Sequence, residues 1–366
     1  MIKFLDLQHQ YSTIKKEMDS AIESVITNAD FIGGHEQKVF ENSFAAFQNA
    51  NYCIGVANCT DALEIAIEAL DFPKNSEIIV PANSFIASSE AVTRSGHKVV
   101  FCDCNTDSYT ISIESLKKSI TKNTKAIIAV HLYGHPCDMT ELLSIAKING
   151  LKIIEDCAQA HGAEYHGIRV GTIGDIGAFS FYPGKNLGAY GDAGALITND
   201  ENLAIKCRMI ANHGRIDKYN HVFEGRNSRL DNLQAAILNV KLKHLENWTN
   251  HRIKLADHYL KHLANIPEII LPKRAENVRQ VYHLFVIRTN FRDALKKHLT
   301  DQEIQTGIHY PIALTKLKAY EYLDKANDDL NANSIDTLLL SLPIGEHLSL
   351  EDIDKVINAI KKFFSK

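Results

Sequence analysis

Between about residues 50 and 200, short β-rich runs alternate with amphipathic helical runs, and this alternation limits the possible folds more than any other feature. The pairs are YCIGVAN with TDALEIAIEAL, EIIVPAN with SFIASSEAV, KVVFCD with SIESLKKSI, and KAIIAVH with MTELLSIAKING, and KIIEDCA follows them. Such alternation predicts an α/β domain with a mainly parallel sheet flanked by helices. Ligands of these sheets collect at the carboxyl ends of the strands. Residues that directly follow a predicted strand are therefore the first candidates for a site.

After residue 200 the pattern becomes helical. ENLAIKCRMIANHG predicts one helix, and the apolar spacing from Leu230 to about Tyr259 predicts a long helix that links two domains. VYHLFVIRT then predicts a strand, which two amphipathic helices follow. We therefore expect a large domain over residues 1–245, which includes the N-terminal segment, and a smaller C-terminal α/β domain over residues 246–366.

Composition argues against several classes of protein. The net charge of the 366-residue chain is -4, and its Lys and Arg residues are scattered, so nucleic acid is not an expected partner. The apolar runs are too short to cross a bilayer and the amino terminus lacks a signal-peptide pattern, so we expect a cytoplasmic protein without membrane association. Seven cysteines without a C-x-x-C pair fit a reducing compartment. No H-E-x-x-H or similar pattern predicts a metal site.

Two candidate segments follow the first two predicted strands. In GVANCTDALEIAIEAL, a helix opens with Cys59, Thr60 and Asp61, and its free amides and positive dipole end favour an anion, to which the Thr60 hydroxyl can also donate. In PANSFIASSEAV, Phe85 is placed where it could lie flat on an aromatic ring. Taken alone, the first segment also fits an ordinary Thr or Asp helix cap, and Phe85 also fits a core position.

Two further segments carry ionisable groups. KIIEDCAQAHG is a buried strand that ends in Glu155 and Asp156, followed by Gln159 and His161. A buried acid is costly unless it meets a cation, and a protonated pyridine nitrogen is such a cation. In SFYPGKNLGAYGDAG, Lys185 follows an apolar strand, and a lysine amine can form a Schiff base with an aldehyde, although most lysines are solvated. Together the four segments indicate a phosphorylated aldehyde cofactor with a basic ring nitrogen.

Four motifs in this sequence resemble those of the DegT/DnrJ/StrS sugar aminotransferases: TDALE, EDCAQAHGA, SFYPGKNLGAYGDAGA and EGRNSRLDNLQAAIL. They occur in the family's order and at its spacing, and the resemblance covers nearly the whole chain. It implies the type I fold of pyridoxal-phosphate (PLP) enzymes. It also implies that Lys185 is the catalytic residue, which carries PLP and then moves a proton between substrate and cofactor.

The resemblance implies further cofactor contacts, residue by residue. Those positions are Cys59, Thr60 and Ser180 for the phosphate, Phe85 for stacking on the ring, Asp156 for the ring nitrogen, Gln159 for the ring hydroxyl, and Asn227 for the phosphate of the other subunit. For the sugar, the matching positions are Arg229, His309, Tyr310, Phe31, Arg215 and Tyr182. Two positions depart from the family: Cys59 stands where glycine is usual, and Tyr182 stands where many members have histidine.

The runs PGKNLGAYGDAG and HGRIDKYNH resemble enzymes that aminate carbon 3 of a dTDP-linked 3-keto-6-deoxyhexose with L-glutamate. This resemblance implies a homodimer with shared active sites and a product used in surface polysaccharides such as O-antigen, or in natural products. A 4-keto-sugar aminotransferase and a non-catalytic PLP-binding regulator remain alternatives. A dehydratase of the same fold would have histidine in place of Lys185. The gluco or galacto configuration of the sugar is left open.

Overall fold

The computed structural model describes residues 1–365. Its strands are β1 (Tyr52–Val56), β2 (Glu77–Pro81), β3 (Lys98–Cys102), β4 (Thr124–Val130), β5 (Lys152–Asp156), β6 (Glu164–Tyr165), β7 (Ile168–Arg169), β8 (Ile176–Ser180), β9 (Gly194–Thr198), β10 (Val278–Arg279), β11 (Phe285–Arg288) and β12 (Leu339–Leu342). Its helices are α1 (Leu7–Thr13), α2 (Lys15–Asn28), α3 (His35–Gln48), α4 (Cys59–Ala69), α5 (Ala87–Arg94), α6 (Ile113–Ser119), α7 (Met139–Asn149), α8 (Glu201–Ala211), α9 (Asn232–Leu263), α10 (Arg292–Asp301), α11 (Asn331–Ile335) and α12 (Leu350–Phe364).

The central sheet has seven strands in the order β1-β9-β8-β5-β4-β2-β3. Strands β8, β5, β4, β2 and β3 pair in parallel, whereas β9 runs antiparallel to both of its neighbours, β1 and β8. The predicted α/β fold with a mainly parallel sheet is confirmed. Because the parallel strands share one direction, the loops that follow them lie at the same edge of the sheet.

Apolar side chains cover both faces of this sheet. Ile78 of β2 lies in a core with residues of α4 and α5, whereas its neighbour Ile79 lies in the core formed with α6 and α7. The same alternation separates Ile153 from Ile154 in β5, as expected when successive side chains of a strand point to opposite faces. The sheet is therefore buried on both sides, which matches the near-continuous apolar runs of its strands.

A separate apolar core lies in the C-terminal part of the chain. It combines β11, β12, α10 and α12 with the second half of α9, and Ile2 from the amino terminus also belongs to it. Leu245, in the first half of α9, packs instead against residues near the large sheet. Helix α9 thus contributes to both cores, and the division between residues 245 and 246, which falls inside this helix, remains a proposal.

The strand predicted from VYHLFVIRT is shorter in the structure. It comprises only Phe285–Arg288, which pairs with β12. Before it, the Val281 amide donates to the Gly134 carbonyl at 3.0 Å and Tyr282 has a φ of 45°, so the chain bends there toward the large domain. Strand pairing therefore starts later than the apolar pattern indicates.

No helix among residues 1–365 is both long and apolar enough to span a membrane. All seven cysteines are free and buried. Cys102 and Cys104, which alternate around Asp103, both lie in the interior.

A buried hydrogen-bond network around Glu155 joins β4, β5 and the loop before β8. One carboxylate oxygen accepts from the Gly171 amide at 2.7 Å and from His131 Nε2 at 2.9 Å, and the other accepts from the amides of Ile173 and Gly174 at 2.8 and 2.6 Å. Four donors thus occupy this carboxylate. The sequence placed Glu155 at a strand end, and the structure shows that it points into the protein interior rather than at a ligand.

Replacing Glu155 with alanine should lower the free energy of unfolding by about 3–5 kcal/mol, because it leaves buried donors without an acceptor. Urea unfolding followed by circular dichroism measures this change. The exposed Glu268 provides a matched control, and its alanine variant should differ from the native protein by no more than about 0.5 kcal/mol. Equal stabilities for the two variants would contradict the role given to the network.

Candidate active site

A cavity of about 490 Å³ opens at the carboxyl ends of β1, β2, β4, β5 and β8. It is the location that the strand-helix pattern predicts for a ligand. The residues singled out in the sequence that line it are Cys59, Thr60, Phe85, Asp156, Gln159, Ser180, Tyr182, Lys185 and Tyr310.

One end of the cavity is the start of helix α4. Asn58 caps this helix, since its side chain accepts from the Asp61 amide at 2.8 Å. Neither Thr60 nor Asp61 is therefore the cap, and the amides of Cys59 and Thr60, in the first helical turn, have no partner within the helix. Burial raises the pKa of the Cys59 thiol well above its usual range, so Cys59 offers an amide and an uncharged side chain. This end is suited to an anion.

Ser180 lies beside the same helix start. In the antiparallel pairing of β8 with β9 it stands opposite Gly194. A Cβ atom at Gly194 would come within 2.8 Å of the Cys59 backbone nitrogen, so only glycine lets β9 pass this close to the helix. The Ser180 hydroxyl is thereby placed near the free amides, as a further donor to the same anion.

Asp156 lies at another part of the cavity wall and is buried at 5% exposure. One of its carboxylate oxygens accepts from the Ser88 hydroxyl at 2.7 Å, and the other accepts from the Ala158 amide at 3.1 Å. Ser88 in turn lies 2.7 Å from the Ser84 hydroxyl. A carboxylate can accept about four hydrogen bonds, so Asp156 keeps capacity for a donor in the cavity.

Gln159 is held from both sides. Its carbonyl oxygen accepts from the Tyr133 amide at 2.6 Å, and its amide nitrogen donates to the Tyr310 hydroxyl at 3.1 Å. Burial raises the pKa of Tyr310 most, and the negative charge of Asp156 raises it further. The phenol therefore stays protonated at neutral pH. The ring of Phe85 lies 5.7 Å from that of Tyr310, centroid to centroid, and is exposed to the cavity.

Lys185 occupies a tight loop between β8 and β9. Its amide donates to the Tyr182 carbonyl at 2.9 Å, and the Ala189 amide closes the loop on the Phe181 carbonyl at 2.8 Å. Burial lowers the pKa of the Lys185 amine, and the negative charge of Asp156 opposes that change. A larger neutral fraction makes the amine a better nucleophile than a surface lysine.

His161 supports the strand end next to this loop. Its Nε2 lies 2.8 Å from the Ser180 carbonyl, to which it donates. Burial and then the positive charge of Lys185 lower its pKa to about 3, so the ring is neutral. His161 therefore contacts the backbone and does not act as an ionised group in the cavity.

A second cavity of about 230 Å³ adjoins the first and shares Lys185 and Tyr310 with it. His309 lines it, together with Arg252 and His283, which the sequence analysis missed. His309 Nδ1 lies 2.9 Å from the Ser341 hydroxyl. Burial and, to a smaller extent, the positive charge of Lys185 lower the pKa of His309 to about 4. Arg252 and His283 come from the C-terminal half of the chain and belong to no motif, so only the folded structure reveals them.

Four residues that the sequence analysis selected for the site line neither of these two cavities within a single chain. Arg215 and Arg229 border a third cavity of about 340 Å³, whereas Phe31 and Asn227 are exposed. The segment that carries Asn227 and Arg229 nevertheless runs beside the start of α4, because the Ser228 hydroxyl accepts from the Ala57 amide at 3.2 Å.

The sequence and the structure both match known proteins over almost their whole length. The family model of the DegT/DnrJ/EryC1/StrS aminotransferases matches residues 12–361. The chain belongs to this aminotransferase family. Its solved relatives include S. venezuelae DesV, in complex with a ketimine intermediate, with a TM-score of 0.98 and 41% identity over 100% of this chain and 99% of that one.

Two curated relatives show how names vary within the family. A dTDP-3-amino-3,6-dideoxy-alpha-D-galactopyranose transaminase from Aneurinibacillus thermoaerophilus is 44% identical over 99% of both chains. The erythromycin biosynthesis sensory transduction protein EryC1 from Saccharopolyspora erythraea is 43% identical over 98% of this chain and 99% of its own.

The DegT/DnrJ/EryC1/StrS aminotransferases depend on PLP, and the cavity fits this cofactor. It offers a helix start for a phosphate, a carboxylate for a ring nitrogen and a lysine for an aldehyde, and all three line the same cavity.

A different cluster consists of His131, Glu155 and Cys157. Its possible ligand atoms lie within 4.8 Å of one another, as they would in a metal site. Its Glu155 is occupied by four donors, and His131 Nδ1 accepts from the Cys137 amide at 3.0 Å, so we assign it a structural role.

The pKa of Lys185 gives a prediction for this aminotransferase without its cofactor. Acetylation of Lys185 should reach half its maximal rate at a lower pH than acetylation of the exposed Lys243, because burial favours the neutral amine. Peptide mass spectrometry across a pH series measures both lysines in one sample. In an Asp156→Asn variant the Lys185 midpoint should fall further, since the carboxylate that favours the charged amine is lost. Equal midpoints for Lys185 and Lys243 would contradict this reading.

Proposed function

We propose that this aminotransferase transfers the amino group of L-glutamate to carbon 3 of a dTDP-3-keto-6-deoxyhexose. The observation that carries the proposal is the placement of Lys185 and Asp156 on one cavity that also includes the free amides of α4. The A. thermoaerophilus relative, named for a dTDP-3-amino-3,6-dideoxy sugar, supports the position on the sugar.

In this proposal the wall residues hold and orient the cofactor. The amides of Cys59 and Thr60 and the Ser180 hydroxyl bind its phosphate, and Phe85 covers its ring. Asp156, oriented by Ser88 and the Ala158 amide, keeps a proton on the ring nitrogen. When bound, PLP accepts the electron pair that is left when a C–H bond of the substrate breaks.

Lys185 has two successive roles in the proposed reaction. Its amine would hold the cofactor, and Lys185 Nζ, once freed by an incoming amine, would take a proton from the donor's α-carbon. The low dielectric around this amine keeps part of it neutral and thus able to accept that proton. Tyr310 and His309 stay uncharged and offer hydrogen bonds toward the sugar.

The overall reaction has two halves that use the same site. L-Glutamate gives up its amino group in the site, takes its keto oxygen from water and departs as 2-oxoglutarate. The keto sugar then takes up that amino group, releases its carbon-3 carbonyl oxygen as water and departs as dTDP-3-amino-3,6-dideoxyhexose. We place this reaction in the cytoplasm, on a route to surface polysaccharide such as O-antigen, or to natural products; the seven free cysteines fit a reducing compartment.

Two alternatives differ from this proposal in testable ways. A 4-keto-sugar aminotransferase would keep every cofactor residue and differ in the residues that contact the sugar. A non-catalytic regulator accords with the name of the S. erythraea relative. The buried, activated Lys185 favours catalysis, because a protein that only binds the cofactor does not need a base at the substrate carbon.

We also propose that the protein is a homodimer in which each site takes residues from both subunits. Phe31 and Asn227 are exposed, and so are the apolar side chains of the hairpin after Arg215, namely Ile216, Tyr219 and Val222. Apolar groups on an exposed hairpin favour burial against another chain. Association of two copies would bring Asn227, Arg215 and Arg229 to the partner's site.

The catalytic proposal predicts product formation in a direct assay. With PLP, L-glutamate and a dTDP-3-keto-6-deoxyhexose, the protein should form 2-oxoglutarate and the 3-amino sugar, as detected by mass spectrometry and NMR. A Lys185→Ala variant should be slower by at least about 10²-fold, because it lacks the base. The 4-keto sugar, assayed in parallel, should react more slowly. A clear preference for it would overturn the carbon-3 assignment, and no turnover of either sugar would favour the regulator.

Shared sites predict complementation between two inactive variants. Lys185→Ala and Asn227→Asp, each inactive alone, should recover about a quarter of native activity when unfolded and refolded together in equal amounts. Random pairing makes half of the dimers mixed, and each mixed dimer has one site with both native residues. Refolding each variant by itself is the control. No recovery in mixtures that sediment as dimers would contradict sharing of Asn227 between subunits.

A further inference from the structure

Lys241 is a buried lysine that the proposed reaction does not use. It lies in the first half of α9 and its exposed fraction is 0%. Among the described residues no carboxylate pairs directly with it, because the nearby Glu346 is bound by Arg252 at 3.0 Å and by Gln10. Burial lowers its pKa to about 8, with Glu346 partly opposing the change. Burying such a cation is costly unless other groups compensate for its lost hydration.

The hydrogen bond and the cation-π contact of the Lys241 ammonium are both with the loop that carries Lys185. This ammonium donates to the Gly188 carbonyl at 2.7 Å and lies 4.2 Å from the centroid of the Tyr190 ring. Gly188 is three residues after Lys185, and a Cβ atom there would come within 2.4 Å of the Pro183 carbonyl oxygen. The loop is thus folded tightly on itself at the point that Lys241 binds.

Helix α9 holds this loop at two points. Gln234, seven residues before Lys241, accepts from the Tyr190 amide at 2.9 Å. Seven residues are about two helical turns, so both side chains lie on one face of α9. From the other side, the Asn186 side chain donates to the Val281 carbonyl at 3.2 Å. Of these contacts, only the one from Lys241 is assisted by a full charge, and such bonds are about twice as strong as neutral ones.

We propose that Lys241 is a positioning residue, which fixes the Gly188 carbonyl and thereby sets where the Lys185 amine stands in the cavity. The inference rests on the proposed role of Lys185. Lys241 itself touches neither the cavity wall nor the reacting atoms. Its effect is transmitted through three residues of backbone.

The test compares Lys241→Met, which keeps an apolar side chain of similar length but cannot donate, with the native protein. Amide hydrogen exchange of the peptide 182–190, in the cofactor-free protein, should become about tenfold faster. The rate at which borohydride traps PLP on Lys185 should fall by about the same factor. The thermal midpoint should change little, since replacing a buried charge by an apolar group is often neutral.

Lys243→Met is the matched control, because Lys243 is exposed on the same helix, and it should leave exchange and trapping unchanged. Lys241→Gln retains a neutral donor, and it should fall between Lys241→Met and the native protein. Native exchange and trapping in Lys241→Met would overturn the proposal. It would be equally overturned if both Lys241 variants lost stability and exchanged faster evenly along the chain, since Lys241 would then be only a core residue.

The experiment also separates this inference from the function on which it rests. If native protein is not trapped at Lys185 at all, the proposed function fails. The exchange measurement needs no cofactor, so in that case it alone decides whether Lys241 anchors the loop.

Discussion

Parallel pairing of β2, β4, β5 and β8 is the constraint on which the site depends. It places the residues after these strands at one edge of the sheet, and β1, which is parallel to β8 across β9, adds the start of α4. Groups far apart in sequence thereby face one cavity of about 490 Å³. An acid, an amine and a set of free amides are consequently arranged around a single ligand volume.

The sequence predicted the parts of the site that lie at strand ends. Asp156 and Lys185 stand at or after the ends of short apolar runs, the family resemblance implied Ser180, and all three line the cavity at this edge of the sheet. It did not predict contacts made across the fold, such as Ser88 on Asp156 or Arg252 in the adjoining cavity, because no local pattern records a partner distant in sequence. Ser84 and Ser88, four residues apart just after β2, were the available signal for the first of these.

Local chemistry also explains where the predictions needed correction. Glu155 and Asp156 are neighbours, and the alternation of side chains in a strand sends only one of them to the cavity. Glu155 enters the interior, where four donors occupy it. The strand predicted from VYHLFVIRT starts late because the Val281 amide bonds to Gly134 of the large domain and Tyr282 has a φ of 45°. Buried ionisable side chains lie on both sides of the Lys185 loop. Asp156 faces the cavity, and Lys241 binds the loop from α9.

The most direct test of the account is to identify the residue that bonds to PLP. Native protein incubated with PLP, reduced with borohydride and digested should yield one modified peptide, with the label on Lys185, as located by fragment masses. The Lys185→Ala variant should yield none at that position. A label found mainly on another lysine, or no label in native protein that is folded and saturated with PLP, would contradict the assignment of this cavity as the active site.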